Sequence, residues 1–283
     1  MARVSLGDIG EATGTPGWSA RLKLVFETRG ARTVATHREH CGPLVVQRPF
    51  YPEGGTCHVY LLHPPGGVVA GDRLQVEANA EPGAQVLLTT PAATKLYRSH
   101  GPRATLAQDL RIEAGARLEW FPQGSIFFNG CRVSSATRVE VAPGGQFAGW
   151  EIIALGRLAA GELFDRGHCR QAFEIWSQGR PLMLDRAEYA GGSPVLQAAW
   201  GLAGYSVVGS FAAYPANRAA LEAVRARIPG EPWFSASLLD DLLICRYLGN
   251  SVESAQQNFV VAWEALRPIL FGRPACPPRI WNT

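Results

Sequence analysis

Residues 74–91, LQVEANAEPGAQVLLTTP, alternate apolar and polar side chains, break at Pro82-Gly83, and resume as a second apolar-rich run. That is the signature of two half-buried strands joined by a tight turn. The pattern returns in LRIEAGARLEWFPQ (110–123) and TRVEVAPGGQFAGWEI (137–152), and more loosely in FEIWSQGRPLMLDR (173–186). The turn glycines, Gly83, Gly115, Gly144 and Gly179, are spaced by 32, 29 and 35 residues. Near-constant spacing of units too small to bury a face alone implies that they stack. The expected fold is therefore mainly β, a β-helix-like single domain of stacked β-hairpins. The same short-strand character, punctuated by Gly and Pro, runs from Leu44 to about Arg186.

Superposing the copies on their glycines puts Thr89-Thr90, Phe121-Pro122 and Trp150-Glu151 at similar levels. Strand alternation then sends Thr90 and Glu151 to one face and Thr89 and Trp150 to the other. A polar track through the stack follows from that alignment.

The C-terminal third changes period and is expected to add two helices. NRAALEAVRARI (217–228) starts with Asn and has helical apolar spacing. SVESAQQNFVVAWEALRPILFG (251–272) has a Ser cap at 251 or 254 and an apolar stripe through Phe259, Ala262, Trp263 and Leu266. Pro268 is expected to kink or fray its end. LLDDLLICRYLG (238–249) could be helix or strand, its β-branched content being low and its length suiting a strand, and the Pro-rich tail GRPACPPRIWNT (272–283) carries enough aromatic and aliphatic side chains to dock.

Bulk properties exclude some classes. Across 283 residues, 47% are hydrophobic and 18% charged, which supports a substantial core. A net charge of +3 without a Lys/Arg run gives no case for nucleic acid. No apolar run approaches the roughly 18 residues of a membrane span. The opening MARVSLGDIGEATG lacks a basic start followed by an apolar block, so no secretory leader is expected. The six cysteines contain no CxxC pair, which fits reduced thiols in a cytoplasmic protein.

The densest concentration of reactive groups is CHVYLLHPPGGVVAGD (57–72). On a strand, Cys57 and His63 share a face and His58 points away. HREHC (37–41) adds His37, His40 and Cys41, but neither CxxC nor HExxH spacing is present. No Lys-Ser/Thr follows the glycines, and there is no GxSxG elbow. The segment reads as a strand ended by Pro64-Pro65, a turn at Gly66-Gly67, and a second turn presenting Asp72. Glu119, Glu151, Glu162 and Thr94-Lys95 also stand in apolar settings. Such spaced oxygen ligands suit weak, passing contact with a divalent ion.

Several long segments then carry a resemblance: GPLVVQRPFYPEGGTCHVYLLHPPGGVVAGDRL (42–74), LLTTPAATKLYRS (87–99), LEWFPQGSIFFNG (118–130), GWEIIALGRLAAGELF (149–164), RYLG (246–249) and LRPILFGRPACPPRIWNT (266–283). Together they resemble the urease accessory protein family UreD, also called UreH. The resemblance implies one UreD-like domain: a less well matched segment 1–41, a stacked β region 42–210, and a helical and tail region 211–283. It implies no catalysis and no tightly bound cofactor. It also implies a cytoplasmic scaffold that works with UreF and UreG on urease apoprotein, indirectly with UreE, in nickel insertion, with transient Ni²⁺ passing through a polar tunnel. Asp72 and Glu162 are the leading lining residues on that analogy, followed by Thr89, Thr90 and Thr94. The chain departs from the family at Gly124, where many relatives carry Glu. The rival expectations are a docking scaffold without metal passage, and a metal-dependent β-barrel enzyme built on His58, His63 and a carboxylate.

Overall fold

The computed structural model describes residues 17–228 and 233–282; the stretch read for a leader lies outside the described residues. In chain order the first strands are β1 (Ser19–Arg29), β2 (Arg32–Cys41), β3 (Val45–Val46), β4 (Cys57–Leu62), β5 (Arg73–Ala80) and β6 (Gln85–Thr89). There follow β7 (Thr94–Leu96), β8 (Ala104–Ile112), β9 (Arg117–Phe121), β10 (Ser125–Phe127), β11 (Arg132–Val141) and β12 (Gln146–Leu155). The remainder are β13 (His168–Ser177), β14 (Arg180–Ala190), a one-turn α1 (Pro194–Gln197), β15 (Val207–Tyr214), α2 (Arg218–Arg227), β16 (Phe234–Leu239), β17 (Leu242–Gly249) and α3 (Val252–Phe271).

Two sheets face each other. The first runs β14-β13-β11-β8-β5-β1-β2, and the second runs β16-β17-β15-β12-β9-β6-β4-β3. The strand before each of Gly83, Gly115 and Gly144 belongs to the first sheet and the strand after it to the second. These three units are therefore arches rather than hairpins. Their two strands oppose each other across the core, and each pairs in parallel with its equivalent in the next coil. Gln85 lies beside Arg117 and Arg117 beside Gln146, the same 32- and 29-residue steps as the glycines. Apolar alternation is identical in an arch and a hairpin, so the pattern specified the stack and left the ladder partners open. Only the fourth unit is a hairpin. β13 and β14 pair antiparallel around Gln178 and Gly179, whose φ values of 51° and 74° fit a type I′ turn.

The arch turns require glycine. Gly83, Gly115 and Gly144 have φ of 75°, 68° and 77°, a region that strains other side chains. Their backbones also stack: Gly83 N–H donates to Ala114 O at 3.3 Å and Gly115 N–H to Gly144 O at 3.2 Å. A shorter third ladder, β7 to β10 to the end of β12, completes each coil.

Within the expected N-terminal segment 1–41, the described strand β1 pairs in parallel with β5 and so belongs to the stack. β15 and β17 likewise extend the second sheet into the region expected to be helices and tail.

Inward side chains such as Leu24, Val76, Val86, Leu118, Phe147 and Phe173 fill the space between the sheets. The outer face of the second sheet, with Leu87, Phe121, Trp150 and Phe211, forms another core against α2 and α3. Asn217 caps α2 by accepting from Ala220 N–H, and Ser251 caps α3 by accepting from Ser254 N–H, each at 3.0 Å. α3 continues through Pro268 to Phe271 and ends at Gly272, whose φ is 66°. The tail docks. Trp281 donates to Thr89 Oγ1 at 2.8 Å and packs with Phe121, Trp150 and Trp263.

A buried ion network fastens α3 to the stack. Arg267 and Glu119 are both 0% exposed and make two hydrogen bonds of 2.9 Å. The same guanidinium holds both oxygens of Glu53 at 2.7 Å and donates to Pro274 O. Trp263 donates to Glu119 at 2.7 Å, and His58 Nε2 lies 2.7 Å from Glu53. Burial alone would push Glu53 up, but hydrogen bonds from His58 and Arg267, with the Arg267 charge, hold it down at about 2. Burial would likewise lower Arg267, and its two carboxylate partners raise it instead.

Removing one member of a buried pair leaves the others uncompensated, at a cost of about 3–5 kcal/mol. Arg267→Met is expected to lose about that much in urea unfolding at neutral pH. Because Glu53 is depressed in the folded chain, its stabilisation is present above the ordinary carboxylate value of 4.5 and fades as pH falls toward about 2. The gap between native chain and variant should narrow over that window. A pH-independent gap would contradict the ionic reading.

Candidate functional site

The corner where coils turn from the second sheet into the third ladder is imperfectly filled. Thr89 pairs with Phe121, and Gly149 with Trp120 one level earlier, so Thr90, Pro122 and Glu151 stack as successive corner residues. Alternation directs Trp150 outward, where it stacks on Phe121 at 4.2 Å, and directs Glu151 inward between the sheets. A half-enclosed cavity of about 210 Å³ lies there. Its polar wall includes Thr90, Thr94, Gln108, Ser125, Ser135 and Glu151, and its apolar wall includes Leu61, Leu74, Leu106 and Trp120. Gly124 also lines it with φ of 95°, and a Cβ there would press against Ile152 O at 3.1 Å.

Glu151 is the distinctive group. Thr137 Oγ1 donates to its Oε1 at 2.6 Å and Trp120 Nε1 to the same oxygen at 2.9 Å. Both bonds fall on Oε1, and Oε2 makes no hydrogen bond among the described residues. Burial raises its pKa, and the Thr137 and Trp120 hydrogen bonds only partly offset that. His63 also lines the cavity; burial lowers its pKa, against the pull of the Asp72 charge.

The residues singled out from sequence divide. Thr90 and Thr94 line the cavity. Thr90 Oγ1 is committed to the corner, accepting from Gln123 N–H at 2.9 Å and donating to Ala92 O at 3.1 Å. Thr89 faces the helices and donates to Phe121 O at 2.5 Å. Asp72 and Glu162 are not among the residues lining this cavity. Asp72 is 5% exposed, and its two oxygens accept from Trp18 N–H and Val69 N–H at 2.9 Å each, so it organises the turn beside His63. Glu162 holds Arg157 at 2.8 Å at a small surface turn. The partner of Glu119, Arg267, gave no sequence signal. An arginine at the end of an amphipathic stripe reads as solvent-facing, and only the fold brings it to Glu119.

His58 faces α3 and His63 faces the space between the sheets. His37, His40 and Cys41 lie on β2 in the other sheet. Among the described residues no three His, Cys, Asp or Glu side chains converge as a metal-binding group. All six cysteines are free thiols, and burial pushes Cys57 up to about 11 and Cys131 to about 12, which disfavours the thiolate. No helix among the described residues is long and apolar enough to cross a membrane.

Comparison with known proteins agrees with this architecture in extent. The sequence profile of the family described as UreD urease accessory protein matches residues 19–282. The chain is similar to the urease accessory protein UreD of Pseudomonas entomophila (strain L48), 46% identical over 269 residues and 95% of each chain. It is 45% identical over 277 residues to that of Pseudomonas putida (strain GB-1), covering 97% of this chain and 98% of the relative. It is 46% identical over 272 residues to that of Azoarcus sp. (strain BH72), covering 95% of each. With a profile match across both sheets, α3 and the tail, the chain belongs to the UreD urease accessory protein family.

Proposed function

We propose that this chain acts in urease maturation as a non-catalytic scaffold in the cytoplasm, and that the cavity beside Glu151 gives Ni²⁺ a sheltered passage toward urease apoprotein. On this reading UreF and UreG share the scaffold, and UreE supplies metal upstream. The observation that carries the metal reading is Glu151: a half-buried carboxylate at a stacked corner, with one oxygen free beside a cavity. Conduction needs ligands good enough to replace part of a hydration shell and too few to trap the ion. One carboxylate oxygen with hydroxyl and amide neighbours meets both conditions. Burial raises the Glu151 pKa, so a proton competes with an arriving cation for this carboxyl group over a wider pH range than at an exposed carboxylate. Asp72 contributes negative potential from behind His63, and Glu162 does so from the outer turn.

A second reading, a docking scaffold without metal passage, is favoured by the internal contacts that engage both Asp72 and Glu162. Cells co-expressing the urease cluster at limiting nickel separate the two. Glu151→Gln, which keeps the acceptor for Thr137 and Trp120, is expected to leave the recovered complex intact and lower the nickel content of urease. Asp72→Ala and Glu162→Ala report their own shares in the same assay. Normal urease activation by Glu151→Gln would remove the metal reading and leave the docking scaffold.

The same variant has a signature in the isolated chain. A carboxyl group raised by folding stabilises the fold below the ordinary carboxylate range and loses that contribution as pH rises through its folded value. Glu151→Gln escapes the loss. In urea unfolding across pH, its stability relative to the native chain should therefore improve as pH rises, and a constant difference would contradict the buried-acid assignment.

A further inference from the structure

The outer face of the first sheet divides into two charge regimes. From the next outward level onward, the acids and bases neutralise one another. Arg21 pairs with Glu77 at 2.8 Å, Arg138 with Glu140 at 3.2 Å, and Arg186 with Glu174 at 2.6 Å. Toward the strand starts they do not. Arg73, Thr105, Ser134, Arg170 and Glu188 occupy one level across five strands. Arg132 stands beside His168 at the level before it. Arg103 precedes Ala104, the partner of Val133, and donates to Val133 O at 3.3 Å, so it stands next to Arg132. Four arginines thus surround the Thr105 and Ser134 hydroxyls, neither of which makes a hydrogen bond among the described residues. Of the four, Arg170 alone has a carboxylate partner among the described residues, Glu188 at 3.1 Å.

Two further observations indicate what this face accepts. Glu188 already lies at its edge, its two oxygens bridging His168 at 2.5 Å and Arg170 at 3.1 Å, so a carboxylate fits the lattice. Arg103 is destabilised in its charged form first by burial and then by the Arg170 and Arg132 charges; the Glu188 charge offsets part of this, and an added anion would offset more. Adjacent strands place these side chains about 4.8 Å apart, and alternate residues along a strand about 6.8 Å apart. That spacing matches carboxylates on an extended or helical peptide better than a single point anion.

We propose that Arg73, Arg103, Arg132 and Arg170 form a docking face for an acidic segment of a partner protein, recognised through its carboxylates. The face lies outside the cavity and does not depend on metal passage. Charged surfaces of this kind set association rate and orientation and are screened by salt.

The test is fluorescence anisotropy of a labelled oligoglutamate peptide on the full chain. Binding is expected to weaken steeply with salt and to fall about tenfold or more in Arg103→Glu/Arg132→Glu. It should be unchanged in Arg186→Glu, a control at a neutralised pair one outward level further along. The single variant Arg132→Glu, at an exposed position, should show an intermediate loss if the double variant is unstable. Absence of peptide binding, equal loss in Arg186→Glu, or preference for an oligonucleotide over the peptide at the same arginines would each overturn the proposal.

Discussion

Thr89, Phe121 and Trp150 stand one above another because neighbouring coils pair in parallel and in register. Parallel pairing admits no slippage here: a one-residue shift would turn Trp150 inward and Glu151 outward, exchanging a fully buried aromatic ring for a carboxylate on the face that α3 covers. The register therefore fixes both products of the stack at once. Its outer face becomes the aromatic bed on which α3 and the tail rest, and its inner face acquires the Thr90, Pro122 and Glu151 corner. Aliphatic and aromatic side chains fill the rest of the interior, but a turning backbone carrying Pro122 and Gly124 offers little side-chain volume. The cavity sits where those corners stack.

The C-terminal helix depends on the same registration. Glu119 alternates out of the core beside Leu118 and Trp120, and Arg267 reaches it from α3 together with Glu53 from the loop before β4. This network replaces packing with ionic pairing at the centre of an otherwise aromatic contact. Its worth lies in specificity, since apolar replacements of a fully paired buried ion set often match its stability. Arg246 performs a smaller version of the task, meeting Asp185 of β14 and Ser210 of β15 and so joining the two sheets.

Much of this architecture was legible in the sequence. Turn glycines at near-equal spacing announced the stack, and alternation placed Thr90 and Glu151 on one face. Asn217 and Ser251 marked helix starts that the structure places there. The arches were not legible, because alternation is blind to whether two successive strands share a ladder or face each other. The network was not legible either: Glu119 stood out in an apolar setting, but its partners Glu53 and Arg267 are far from it in the chain and resemble surface charges. Asp72 shows the opposite limit. A carboxylate after a glycine turn looks available to a ligand, yet backbone N–H groups of Trp18 and Val69 occupy both its oxygens.

The central functional claim is that Glu151 meets a divalent cation through the carboxylate oxygen left free beside the cavity. Infrared difference spectroscopy of the isolated chain, comparing it with Glu151→Gln, reads that contact directly. The expected result is a carboxyl signal that is absent from the variant, titrates above the ordinary carboxylate range, and shifts when Ni²⁺ is added. A Glu151 signal indifferent to Ni²⁺ would contradict the claim.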